Sequence, residues 1–401
     1  MNRVPAPSGT SREVRAVMVT QDEGTVPAGN PVPAEQIGIE ARSIWVGLAS
    51  AAVAAFVGVI AFRGYRPPLA GDASIALYAA LLGGGAAATG CVLGYSTMLG
   101  VKDGWLGARP LYRRLTDHAA LAVMHGSIAV MAALGIFRVF QDAFFGLTVD
   151  WMAGSVMIAL TAGIAGYLGY NSGARISAAT LSVLLAAFMG AGMLVSMLFA
   201  ENPLWWHSMF SELGTGTAGL TSFWTFNTTI TVSGLLLTTL TSFIVRDLVG
   251  YAQLRQRAAA AAGLRRVLLP RPKVVRACLI GTGLCMVGIG LVPISVAEPV
   301  HTAFVRVAAG FLLVLLLGVP LWLPGFPKAF VLLSLLAVVG IAGATVLWHP
   351  LHYYNVTALE LAVSGIVFAW LVVFIRNTSA MVQLLQGHGD AGNVPAPEGR
   401  V

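Results

Sequence analysis

The chain has 401 residues, of which 57% are hydrophobic and only 10% charged, and its mean hydropathy is +0.80. A soluble domain needs about 25% charged residues to clothe its surface, so a water-facing surface is excluded and lipid is the solvent that fits. The formal net charge is +7, yet no zinc-finger spacing, stacking motif or basic stripe points to nucleic acid, and no nucleic-acid partner is expected.

Residues 1–41 are rich in Pro, Gly, Ser and charge and read as a disordered cytoplasmic tail. A long polar stretch before the first apolar run argues against a cleavable signal peptide there. Apolar runs near the length a spanning helix needs then follow at 43–62, 73–99, 117–137, 151–170, 177–199, 218–245, 276–297, 302–323, 329–348 and 356–375. Residues 377–401 read as a second disordered tail. The predicted fold is therefore all-α: a polytopic transmembrane helix bundle of about ten helices.

Orientation follows from the basic residues in the connections. With the N-terminus inside, the inner connections hold fourteen Lys and Arg and the outer ones only Arg63, Arg66 and Arg138. That bias places both the N- and C-termini in the cytoplasm. The fourteen are Lys102, Arg109, Arg113, Arg114, Arg175, Arg246, Arg255, Arg257, Arg265, Arg266, Arg271, Lys273, Arg276 and Lys328. The longest inner connection, 246–275, reads either as an arginine-rich helix on the inner leaflet, held by anionic headgroups, or as a plain cytoplasmic loop. Four regions are expected: the tail 1–41, a four-helix membrane unit 42–176, a six-helix membrane unit 177–376 with the basic loop 246–275, and the tail 377–401.

Small residues recur at Gly83–Gly90 in the second run, at Gly163, Gly166 and Gly169 in the fourth, and at Gly281, Gly283, Gly288 and Gly290 in the seventh. They let helix backbones approach closely in lipid. Cys91, Cys278 and Cys285 sit inside apolar runs and read as small packing residues rather than a disulfide framework. His118 and His125 are seven apart on one helix face; a haem would need further histidines, and the candidates lie across the membrane.

Three outer connections share a character. The fifth and sixth runs are joined by ENPLWWHSMFSELGTG (201–216), the seventh and eighth by AEPVHTAFVRVAAG (297–310), and the ninth and tenth by WHPLHYYN (348–355). Each carries His and Pro, which suggests a repeated two-helix unit. At these residues the chain resembles a family of bacterial membrane proteins known as domain of unknown function 998. The resemblance rests on His207-Ser208-x-x-Ser211-x-Leu213-Gly214 followed by Phe226-Asn227, on the Gly-rich seventh helix followed by Pro299-x-His301-Thr302, and on Glu360 near the start of the last helix. It covers roughly 177–376, and a looser similarity runs to the DRAM-type six-helix membrane proteins. Leu361 stands where the family's acidic-basic pair would continue. The resemblance implies a six-helix membrane fold and no settled activity.

Ionisable residues inside membrane helices are costly and are candidates for function. The expected topology gathers Glu201, His207, Ser211, Glu212, Glu298, His301, Arg306, His349, His352 and Glu360 near the outer leaflet. On a helix His207 and Ser211 would share a face, as would Ser208 and Glu212. Arg306 is expected to pair with Glu360 or Glu298. One reading is structural, with Thr357-x-x-Glu360 as a capping box. A second is a polar pocket for a lipid headgroup or small polar ligand. A third is a zinc site drawn from His207, His301, His349 and His352, with Glu212 or Glu298, activating water for hydrolysis; no HExxH or CxxC spacing supports it.

No Walker loop, nucleophile elbow or dinucleotide fingerprint is present. The best sequence-level expectation is a non-enzymatic multi-pass protein of a bacterial inner membrane. It would bind lipid or serve as an accessory or scaffold subunit of a cell-envelope complex, with membrane lipids and other membrane proteins as partners and no cofactor. The alternatives are a membrane-embedded metal-dependent hydrolase with an outer His/Glu site, and a transporter of lipid or a small molecule.

Overall fold

A computed structural model describes residues 32–101, 110–263 and 267–391. The tail residues 1–31 and 392–401, and Lys102, Arg109, Arg265 and Arg266 of the charge bias, lie outside the described residues. Contacts divide the chain into Met1–Ala41 and Arg42–Val401, and all packing below lies within the second unit.

Among the described residues the chain is helical, and ten helices are long and apolar enough to cross a bilayer. They are α1 (Val32–Ala61), α2 (Ile75–Val101), α3 (Leu111–Ala143), α4 (Trp151–Ala174), α5 (Ala178–Leu198), α6 (Leu220–Ala261), α7 (Pro272–Leu291), α8 (Glu298–Leu317), α9 (Lys328–Trp348) and α10 (Val356–Ala391). Large apolar side chains such as Trp45, Phe56, Leu81, Val139, Leu198 and Val339 are exposed along their outer faces. In water that surface would be untenable; in lipid it is the expected coat.

Two boundaries differ from the sequence expectation for one physical reason. α6 does not stop at 245 but continues to Ala261, and α10 does not stop at 375 but continues to Ala391. Neither continuation contains Pro, and Ala, Leu, Gln and Arg are strong helix formers, so the end of an apolar run does not end the helix. The basic segment is thus helical from Arg246 to Ala261, as a continuation of α6 rather than a separate surface helix, and 267–271 lead without helix into α7. It buries Leu248 and Tyr251. Tyr251 packs edge-on to Phe326 at 5.9 Å, and Arg255 donates to the Pro324 carbonyl at 2.5 Å. The link after α7's neighbour α8 therefore folds back on the α6 extension. In the same region the Arg271 guanidinium lies over the Trp322 ring, and the Arg271 backbone N–H donates to the Trp322 carbonyl at 2.8 Å. α1 likewise begins at Val32, inside the expected 1–41 tail, and α10 occupies much of the expected 377–401 tail.

Glycines set the closest helix approaches. A Cβ at Gly283 of α7 would lie 2.7 Å from the Gly234 carbonyl oxygen of α6, and one at Gly47 of α1 would lie 3.0 Å from the Gly163 carbonyl oxygen of α4. A side chain at either position would force the backbones apart. α2 and α4 meet through Gly90, Gly94, Gly169 and Gly173 in the same way.

The main hydrophobic core runs through α5 to α10 and takes in Cys91 and Tyr95 of α2 and Leu121 and Met124 of α3. At its centre Trp370 and Phe374 stack at 5.2 Å beside Phe330. A smaller core joins Phe62, Ile75, Ala79, Phe137 and Ile158 among α1 to α4. α3 is the bridge between the two helix sets: buried Asp117 accepts from the Thr239 hydroxyl of α6 at 2.7 Å. His125 of α3 is buried, with Nδ1 donating to the Leu121 carbonyl and Nε2 at 2.9 Å from the Ser172 hydroxyl. His118 lies against Tyr95 and Ser96. Both histidines are thus absorbed in packing between α2, α3 and α4. The three cysteines are free and buried.

Candidate functional site

The connection α5–α6 is not a simple loop. Three short 3-10 turns, Trp205–His207, Phe210–Gly214 and Gly216–Ala218, fold it down onto the helix ends. Because these turns are not α-helical, the expected pairings of His207 with Ser211 and of Ser208 with Glu212 on common helix faces do not form. His207 is exposed, its ring tilted against that of Trp206 at 3.9 Å, whereas Ser211 is buried.

Two ties from other hairpins hold this cap. His301, buried in the first turn of α8, donates from Nδ1 to the Val292 carbonyl at 2.8 Å, and its Nε2 lies 3.1 Å from the Ser211 hydroxyl. Glu360 of α10 accepts the Phe210 backbone N–H at 2.5 Å. A third tie runs from the Asn355 amide to the Trp206 carbonyl. Within the cap, Ser222 donates to the Leu213 carbonyl and Asn227 to the Gly214 carbonyl, each at 2.9 Å. The three connections that resemble one another in sequence thus converge in space, and the cap bridges them.

Glu360 therefore does not close a capping box with Thr357. The N-cap of α10 is Asn355, whose side-chain oxygen accepts the Ala358 N–H at 3.1 Å; the true cap lies two residues earlier than the pattern suggested. Nor does Arg306 pair with Glu360 or Glu298. Arg306 is exposed and makes no ion pair among the described residues. Five residues on from His301, it lies about 140° around α8, while the buried face of that helix runs through His301, Ala308 and Leu315. An exposed arginine near a helix end is placed to reach for headgroups.

Between the cap and the α7–α8 link lies an open pocket of about 600 Å³, lined by Met209, Glu212, Thr215, Thr217, Ser295 and Glu298. Glu212 is held in place: its Oε1 accepts from the Thr217 hydroxyl at 2.6 Å and from Thr215 at 3.3 Å. Glu298 is exposed in the first turn of α8, where the helix dipole favours an acid. His349 and His352 stay together on the α9–α10 link, ring centroids 5.3 Å apart, and both are exposed. Glu201 is exposed, with its backbone N–H tied to the Ala218 carbonyl.

The zinc candidates are not brought to one point. Among the described residues no three His, Cys, Asp or Glu side chains converge as metal ligands. Both ring nitrogens of His301 are engaged by protein groups, and His207 and His352 belong to different links. Sequence reasoning missed the backbone N–H of Phe210 as the partner of Glu360, because a main-chain donor leaves no trace in residue type. It also gave no weight to Asn355, although Asn just before an apolar run is a recognisable N-cap signal.

No family model, curated protein or solved structure matches the chain.

Proposed function

We propose that the chain is a non-enzymatic, lipid-binding protein of a cell membrane, holding a headgroup in the pocket between the α5–α6 cap and the α7–α8 link. The observation that carries this reading is the anchored cap itself. Its position is fixed by His301 and Glu360, and it presents Glu212, Thr215 and Thr217 toward Ser295 and Glu298 at the end of an apolar bundle. Pockets of this size suit a small polar ligand, and headgroups are the polar ligands a bundle end meets. The fourteen-to-three bias of basic residues toward the connections on the opposite side supports an outward-facing pocket.

The lining also favours a headgroup class. Two carboxylates and three hydroxyls line the pocket, and among the described residues no Lys or Arg lines it. A bare phosphate would meet like charge there, whereas a headgroup rich in hydroxyl or amine donors would be accepted by Glu212 and Glu298. The same lining suits a lipid-handling accessory subunit of an envelope assembly, and membership of the family resembled at 177–376 forms part of the proposal. The test is lipid analysis of the purified protein. Amino- or glycolipid should be retained in stoichiometric amount by the native chain and depleted in Glu212→Ala with Glu298→Ala. Equal retention by both proteins would reject the pocket.

A further inference from the structure

A second cavity, of about 200 Å³, lies within the bundle between α5, α6, α7, α8 and α10. Its walls are apolar and include Met189, Met286, Phe368 and Trp370. One polar group in the wall stands out. Ser233 of α6 is fully buried, and among the described residues its hydroxyl has no hydrogen-bond partner. The neighbouring hydroxyls behave differently: Thr241 donates to the Leu237 carbonyl at 2.6 Å, Thr238 to Leu235 at 2.7 Å, and Thr282, also in the wall, to Cys278 at 2.9 Å. A helical Ser or Thr in lipid ordinarily satisfies itself on its own helix. A buried hydroxyl that does not, facing a cavity, calls for a partner from outside the chain.

Depth and size narrow that partner. Gly234, next to Ser233, packs backbone to backbone on Gly283, close to the middle of the twenty-residue helix α7. Ser233 is therefore near the bilayer midplane, roughly 15 Å from either interface. Glycerolipid ester groups stay at the interface, so an ordinary membrane lipid offers only hydrocarbon at this depth. An apolar cavity of about 150 Å³ accommodates one benzene ring, so this one admits a single substituted ring. Its flat aromatic walls and polarisable Met side chains suit a ring. Ser364, exposed on α10 at the rim, marks a path from the surrounding lipid. We infer that this cavity binds the ring of an isoprenoid-quinone-type lipid, with a ring carbonyl accepting the Ser233 hydroxyl.

This rests on the lipid-binding reading, but the two are tested with different probes, so that either can fail alone: headgroup retention reports the end pocket, and quinone binding reports the cavity. The experiment uses the full chain in phosphatidylcholine nanodiscs, titrated with decylubiquinone while tryptophan fluorescence is followed. Trp370 lines the cavity and should be quenched saturably, and Trp370→Phe should remove that component. Ser233→Ala should weaken binding about two- to tenfold, the worth of one neutral hydrogen bond. Ser364→Phe, at an exposed rim position that leaves the core unaltered, should block binding. Quenching that rises linearly with quinone content and is unchanged in Ser233→Ala and Ser364→Phe would overturn the inference. Saturable binding equally strong in Ser233→Ala, or equal displacement by carbonyl-free decylbenzene, would overturn the role of the carbonyl and with it the quinone assignment.

Discussion

Removing the Glu360 carboxylate should loosen the cap, and the structure sets the size of the effect. Glu360 is half-buried and accepts the Phe210 N–H at 2.5 Å. A hydrogen bond to a charged acceptor contributes about 1.5–3 kcal/mol, and an abandoned backbone donor adds its own desolvation cost. Partial exposure lets water take over some of that donor's loss, so Glu360→Ala should destabilise by about 2 kcal/mol. Glu360→Gln keeps an acceptor oxygen without the charge and should cost about 1 kcal/mol. The assay is denaturation of the purified protein in mixed micelles, read alongside the rate of proteolytic cleavage within 199–219. Cleavage should quicken in the order native, Gln, Ala. If both variants match the native protein in stability and cleavage rate, the carboxylate does not hold the cap and the reasoning fails.

Four further outcomes are expected. Arg306→Ala should change stability by less than about 0.5 kcal/mol, as for an exposed side chain, and should be additive with Glu360→Ala; a coupling above about 0.5 kcal/mol would restore the ion pair. Ser211→Ala and His301→Ala should be coupled by about 1 kcal/mol in a double-mutant cycle, through the contact at 3.1 Å. Gly283→Leu should cost about 1–3 kcal/mol by overpacking α7 against α6, while Gly310→Leu, where a Cβ meets no described atom within 4 Å, should be tolerated in the same denaturation assay. A reporter inserted near Trp205 and one fused after Val401 should report opposite sides of the membrane, Val401 inside; the same side for both would refute the five spans between them.

The membrane class and the ten helices were legible because hydropathy over a window of about twenty residues is a strong signal. Helix ends were less so. The α6 and α10 continuations past 245 and 375 are polar, and helix propensity there outlasts hydrophobicity, which alone marked the spans. At the candidate site, residue type identified His301, Ser211, Glu212, Glu298 and Glu360, and the structure does bring these to one end of the bundle. It could not assign their partners. Glu360 bonds a main-chain N–H, and Arg306 faces outward because of its angle on α8. Asp117 is only the first residue of the apolar run 117–137 in sequence, yet it is a buried tie to Thr239. Ser233 sits among several Thr and Ser in α6 and is set apart only by its missing partner, which no pattern of residue types reveals.

The most direct test of the account is a competition among headgroups on the native chain. The protein, reconstituted in phosphatidylcholine nanodiscs, would be titrated separately with a neutral monoglycosyl diacylglycerol, with phosphatidylethanolamine and with phosphatidylglycerol, and lipid adducts counted by native mass spectrometry. Saturable binding of one donor-bearing lipid is expected, weakened by Glu212→Gln with Glu298→Gln, with no comparable preference for phosphatidylglycerol. Preference for phosphatidylglycerol, or adducts in equal number for all three and unaffected by the two substitutions, would contradict it.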